Sequence, residues 1–209
     1  MPSQLLDPPI SRRLADGMIS LRSAGMLMTL EEFDSIPPSE WDENFRYELV
    51  HGVLVVTPFA AFGETRPNDE LAFLLRTYQQ TPEGRILDDT VYGHYLRRGD
   101  SMRRVDRVVW TGLGRALRPR QDIPTLAIEF VSNSARDRKR DYEDKWSDYR
   151  QAGVNEYWVI DRFRRQMTIF RSEGEPTIVN EGSVYKTDLL PGFELPLSQI
   201  LFHADRDRE

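Results

Sequence analysis

The sequence predicts a mixed α/β protein, a central sheet flanked by helices, and three observations carry that prediction. Residues 125–161 read as strand, helix, strand: TLAIEFVS, then RDYEDKWSDYRQAG closed by Gly153, then VNEYWVID. RYELVHGVLVVTP sets two apolar runs around His51-Gly52, a hairpin signal. PNDELAFLLRTYQQ has apolar residues at 71, 74, 75 and 78, which is helical spacing. Helices alternating with strands in this way belong on the faces of one sheet.

The elements follow in order. Residues 1–26 carry Pro-Pro, few charges and no sustained period, and are expected to form an arm. Order is expected over 27–202, with 203–209 as a tail. In MTLEEF, Thr29 and Glu32 have capping-box spacing, so a short helix starts there. IPPSEWDEN is loop, then comes the hairpin, and FAAFGETRP is expected to be loop. The next helix is expected to open at Pro67, with Asp69 and Glu70 at its positive end. RILDD, TVYGHYLR and RRVDRVVW are three strand candidates, and GLGRALRPRQD is loop. After the strand–helix–strand unit come QMTIFRS, a further hairpin and a short C-terminal segment. The GLG after Thr111 lacks the lysine of a phosphate loop and opens no helix, so it carries no nucleotide-binding argument.

Composition excludes several chemistries. The 209 residues include no cysteine, which removes disulfides, thiolate zinc sites and cysteine nucleophiles and fits a reducing, cytoplasmic compartment. No apolar run is long enough to span a bilayer, and the N-terminus lacks the order of a secretory signal. The net charge of −6 argues mildly against nucleic acid as a partner. Its distribution argues the other way. Eight arginines but only Asp100 and Asp106 lie between Arg97 and Arg120, and RDRKR follows at 136–140. Local basic patches on an acidic protein can meet phosphates, although each arginine can equally belong to a solvated surface pair.

The candidate chemistry lies in acids that interrupt strands. Glu129 stands in the middle of TLAIEFVS, on the face of Ala127 and Val131. A carboxylate there is costly unless something pairs with it. Asp106 stands on the face of Val108 in RRVDRVVW, and Glu48 is a third strand acid, in RYELV. If the three converge they make a hard, oxygen-rich site suited to magnesium and unsuited to zinc. Taken singly, each reads more readily as a surface or edge residue. On the following helix Tyr142, Trp146 and Tyr149 form the stripe expected to pack on the sheet, with Lys145 at its margin. Lys145 can lean toward the sheet with its stem packed. Alternatively it forms an i,i+4 surface pair with Asp141, and spacing alone favours that pair.

Two stretches resemble a known family. MTLEEF followed by YELVHG, and Asp141, Lys145, Tyr149, Gly153, Val154, Glu156, Tyr157, Trp158 and Asp161 in the pattern D-x-x-x-K-x-x-x-Y-x-x-x-G-V-x-E-Y-W-x-x-D, are similar to the Uma-type family within the PD-(D/E)XK nuclease superfamily. The resemblance covers about residues 27–202. It implies a restriction-endonuclease-like fold and a metal-dependent nuclease acting on nucleic acid, DNA more than RNA. On it, Asp106 and Glu129 would bind Mg²⁺ (with Mn²⁺ able to substitute), together with the Phe130 carbonyl, and Glu48 would be a supporting acid. The superfamily's lysine position is Val131 here, and the resemblance moves that lysine to Lys145. Asn68 stands where the family often has histidine. Arg103, Arg104, Arg107, Arg138 and Lys139 would grip the phosphate backbone. Dimerisation is plausible on the resemblance alone. The rival reading is a catalytically inactive module of the same fold that binds nucleic acid or protein. The low overall basicity supports that rival, and the intact set Glu48, Asp106, Glu129 and Lys145 opposes it.

Overall fold

The computed structural model describes residues 18–132, 142 and 144–205. The chain divides into two compact units, Met1–Phe59 with Gly99–Arg103, and Ala60–Arg98 with Arg104–Glu209.

In the first unit the expected helix forms as α1, Leu30–Ser35. Thr29 caps it. Its hydroxyl accepts from the Glu32 amide at 3.1 Å, and the Glu32 carboxylate accepts from the Thr29 amide at 2.8 Å. The hairpin follows as β1, Phe45–Val50, and β2, Val53–Pro58, paired antiparallel with Val50 opposite Val53. His51 and Gly52 both adopt left-handed backbone, with φ of 50° and 73°. A two-residue turn of that hand matches the twist of the strands it joins. Ile19, Met28, Phe33, Tyr47, Leu49 and Leu54 bury the inner face.

The second unit starts with α2, Phe62–Gln79, which opens five residues before the expected Pro67. FAAFGETRP is therefore not all loop. Proline lacks the amide that would bond back to Gly63 and usually breaks a helix interior. Packing overrides that preference, since Gly63, Glu64, Pro67 and Asn68 are all buried. A Cβ at Gly63 would fall on the Arg162 guanidinium, so that side chain would have to shift to admit it. RILDD and TVYGHYLR do not form separate strands either. They merge into β3, Leu87–Arg98, with Gly93 at φ 65° absorbing the irregularity.

The remaining strands are β4, Ser101–Thr111 (whose first residues belong to the first unit), β5, Leu126–Phe130, β6, Glu156–Asp161, β7, Gln166–Arg171, and β8, Thr177–Asn180. They lie side by side in that order, with β3 also on β4. The β4–β5, β6–β7 and β7–β8 pairs are antiparallel. β5 and β6 are parallel, so the chain crosses between them through α3, Lys145–Ala152. A two-stranded pair, β9, Val184–Tyr185, and β10, Leu195–Pro196, leads into α4, Leu197–Asp205.

One sheet face packs on α2 and α4 through Leu71, Leu75, Val109, Ile128, Trp158, Ile169, Ile200 and Leu201. The other face packs on α3 through Val108, Trp110, Ala127, Val131, Tyr149, Tyr157 and Val159. This two-sided burial is why residues 126–130 read as an almost unbroken apolar run. Among the described residues no helix is long and apolar enough to cross a membrane.

Candidate metal centre

The β4–β5 register places Arg107 opposite Ile128, Val108 opposite Ala127 and Val109 opposite Leu126. Continued by one rung, it sets Asp106 against Glu129. Directly opposed residues in an antiparallel pair project from the same face, and Ala127 and Val131 identify that face as the one under α3. Asp106 and Glu129 are both buried.

Each carboxylate is held by named donors. The Phe130 amide donates to Asp106 Oδ2 at 3.0 Å. The Tyr149 hydroxyl donates to Glu129 Oε1 at 2.7 Å, and Lys145 Nζ lies 2.9 Å from the same oxygen. Lys145 is therefore not on the solvated surface, where spacing favoured it. Its side chain is 4 % exposed, and Asp141 lies outside the described residues. Lys145 precedes the buried Tyr149 by four residues, so it stands one turn back on the packed stripe.

The opposite sheet face steadies the same strand. Asn68 of α2 donates from Nδ2 to the Asp106 carbonyl at 3.1 Å. Its Oδ1 accepts from Arg107 Nε at 2.5 Å, and Arg107 Nη1 donates to Thr90 Oγ1 at 3.2 Å. Burial lowers the Arg107 pKa to about 10; Asp69 and Asp106 pull it up and Arg76 pushes it down. It remains a cation at neutral pH.

Glu48, in the first unit, faces Arg103 at 3.7 Å, and both side chains are buried. Arg103 and Arg107 thus engage protein groups. Arg104 is half-buried with its guanidinium 5.1 Å from the centre of the Tyr92 ring. Arg138 and Lys139 lie outside the described residues. Reading the sequence missed the direct roles of Asn68 and Tyr149. The signal for Tyr149 was its four-residue spacing from Lys145. The signal for Asn68 was its place where the family often has histidine.

Among the described residues no group of three or more His, Cys, Asp or Glu side chains assembles. The donor set of this unit is therefore the pair Asp106 and Glu129, both oxygen donors, both pinned and both buried. That suits a hard cation of the magnesium kind, which takes one or two carboxylates and completes its shell with water and phosphate. It does not suit a soft or imidazole-seeking metal.

The family profile described as "Putative restriction endonuclease", Uma2, matches residues 30–198. This chain belongs to that family. The Uma2 match runs from α1 into α4 and includes Asp106, Glu129 and Lys145. Among solved structures, the crystal structure of "a putative nuclease belonging to DUF820" from Anabaena variabilis superposes with a TM-score of 0.67. It is 15 % identical, and the match covers 85 % of this chain and 99 % of that one, a likeness of fold. No curated protein matches. The Uma2 assignment supports a nuclease, with nucleic acid as its substrate.

Proposed function

We propose that this Uma2 protein is a Mg²⁺-dependent endonuclease that hydrolyses phosphodiester bonds of DNA. The observation that carries the reading is the Lys145 ammonium, 2.9 Å from Glu129 on the sheet face that Asp106 shares. A buried acid pair beside one buried lysine is costly as structure alone and useful in phosphoryl chemistry. Asp106 and Glu129 would hold the cation, with the Phe130 carbonyl as a third oxygen and Mn²⁺ as a substitute. Once bound, the cation would neutralise charge on the scissile phosphate and make a neighbouring water more acidic.

The chain's own residues do the rest. The Phe130 amide keeps the Asp106 carboxylate in one orientation before substrate arrives. Lys145 donates to the attacking water or to an oxygen of the crowded phosphate, where preorganised positive charge is worth most. Arg104, Arg138 and Lys139 grip the backbone without reading sequence. Arg103 and Arg107 act from within, by holding Glu48 and Asn68.

The test combines Mn²⁺ binding, measured calorimetrically, with cleavage of plasmid DNA and of DNA and RNA oligonucleotides in Mg²⁺. Asp106→Asn and Glu129→Gln should remove binding and cleavage together. Lys145→Met should bind Mn²⁺ but cleave about 10²–10³-fold more slowly. A parent that binds Mn²⁺ and nucleic acid but cuts neither DNA nor RNA would favour the interaction module. Mn²⁺ binding that survives the Asp106→Asn/Glu129→Gln double variant would end the metal assignment.

A further inference from the structure

We infer that Tyr149 is a positioning residue for the metal centre, and that its hydroxyl holds the Glu129 carboxylate in the orientation that takes the cation. The inference rests on the metal assignment above and names a residue outside the acid–acid–lysine set.

Three observations carry it. The Tyr149 hydroxyl donates at 2.7 Å to Glu129 Oε1, the oxygen that Lys145 also meets at 2.9 Å. Both donors come from one stripe of α3, one turn apart, so a single helix fixes the carboxylate from above. The phenol is also held independently of Glu129. Its ring stands edge-on to Tyr157 of β6 at 5.1 Å between centroids and is wholly buried. Behind it the helix is locked by Gly153 at φ 101°, and the Val154 amide donates to the Tyr149 carbonyl at 3.0 Å. The donor is therefore aimed by packing and by the helix end before any metal arrives.

The consequence follows from how carboxylate ligands behave. A carboxylate free to rotate must be ordered when the cation binds, and groups that orient a ligand typically influence metal affinity by 10–100-fold. Lys145 cannot do this alone. Its flexible stem follows the carboxylate, whereas the tyrosine ring does not.

The experiment compares Tyr149→Phe with Tyr185→Phe. Tyr185 is a matched control, since its hydroxyl donates to the buried carboxylate Glu156 at 3.1 Å and its ring packs in the core on the α2–α4 face. Each variant loses one phenol–carboxylate hydrogen bond and keeps its ring, and Tyr185→Phe also loses the bond its hydroxyl accepts from Arg171 at 2.8 Å, which makes it the harsher change. Mn²⁺ affinity is read by titration calorimetry and by the Mn²⁺ spin-resonance signal, well below the melting temperature that each variant shows. Tyr149→Phe should weaken Mn²⁺ by about 10-fold or more, with Tyr185→Phe unchanged, and excess Mn²⁺ should restore its cleavage. Equal Mn²⁺ affinity in Tyr149→Phe and parent would overturn the inference and leave the metal assignment standing. Equal weakening in both variants would reduce Tyr149 to general stability and overturn it too. A parent that binds no Mn²⁺ would overturn both proposals.

Discussion

Lys145→Ala tests the centre through stability, without any substrate. Lys145 and Glu129 are 4 % and 3 % exposed at the side chain and 2.9 Å apart. At an effective dielectric of about 20, that separation corresponds to about 6 kcal/mol of gross attraction, much of it offset by the desolvation of both groups. Deleting one partner of a buried pair strands the other, which costs about 3–5 kcal/mol. Tyr149 remains bonded to Glu129, so the lower end, about 3 kcal/mol, is expected. For a protein of this length that lowers the thermal midpoint by about 6–12 °C. The assays are urea and thermal denaturation of parent, Lys145→Ala, Glu129→Gln and the double variant. The double variant should be more stable than Lys145→Ala, because the neutral amide no longer needs the ammonium, and the coupling between the two sites should be positive. Saturating Mn²⁺ should recover part of the Lys145→Ala loss, since a cation bound only by the folded state stabilises it. A Lys145→Ala midpoint within about 2 °C of the parent would place the lysine on the solvated surface, where alanine is tolerated within about ±0.5 kcal/mol. The reasoning about the centre would then be refuted.

Burial raises Tyr142 and Tyr185 to about 12, with Asp161 and Glu156 respectively adding to it. A phenol raised in the folded state contributes stability that is complete below pH about 10 and lost as pH climbs through about 12. Phenolate absorbance should therefore show a lagging class among the eight tyrosines, with unfolding in the same window; a single titration near 10 would contradict it. Asp122 is held down to about 2 by Arg115 and by the Arg118 amide, so its contribution is complete above about pH 4 and lost as pH falls toward 2. Asp122→Asn should speed hydrogen exchange at the Arg118 amide, and an unchanged rate would show that the turn does not depend on the carboxylate. In the Lys145→Ala background, Val131→Lys puts an ammonium two residues from Glu129 but inside the apolar layer under α3, and urea midpoints should fall further. A rise would show that the regained pair outweighs the packing around Val131.

Much of the fold was legible because its signals are local. The His51-Gly52 turn, the Thr29–Glu32 cap and Gly153 at the end of α3 each state their own backbone requirement. The start of α2 was not legible, because Pro67 is a breaker by intrinsic preference and only burial of Gly63, Glu64 and Asn68 against the rest of the unit carries the helix past it. The single long β3 was hidden in the same way. Gly93 reads as a stop, and only in three dimensions does it let the strand pass close to Arg104. The arginines divide on burial. Arg103 and Arg107 look like their exposed counterparts in sequence, yet they face Glu48 and Asn68 inside the protein.

The position of the lysine follows from the topology. β5 and β6 are parallel, so the connection between them must cross the face of the sheet, and it brings α3 over the face that carries Glu129. On the strand itself, Val131 holds the place two residues beyond the acid. Its amide donates to the Ile160 carbonyl at 3.0 Å and its side chain is buried with Ala127, Tyr149 and Val159. An ammonium there would have to share an apolar layer that the crossing helix closes. The same helix supplies an ammonium and a phenol from consecutive turns to one oxygen of Glu129. That is why an acid can stand in the middle of a strand buried on both faces. The strand supplies the carboxylate, and the parallel crossover supplies the two donors that pair with it and orient it. A variant that shifts α3 by one residue should therefore disturb Glu129 more than a conservative change within β5 itself.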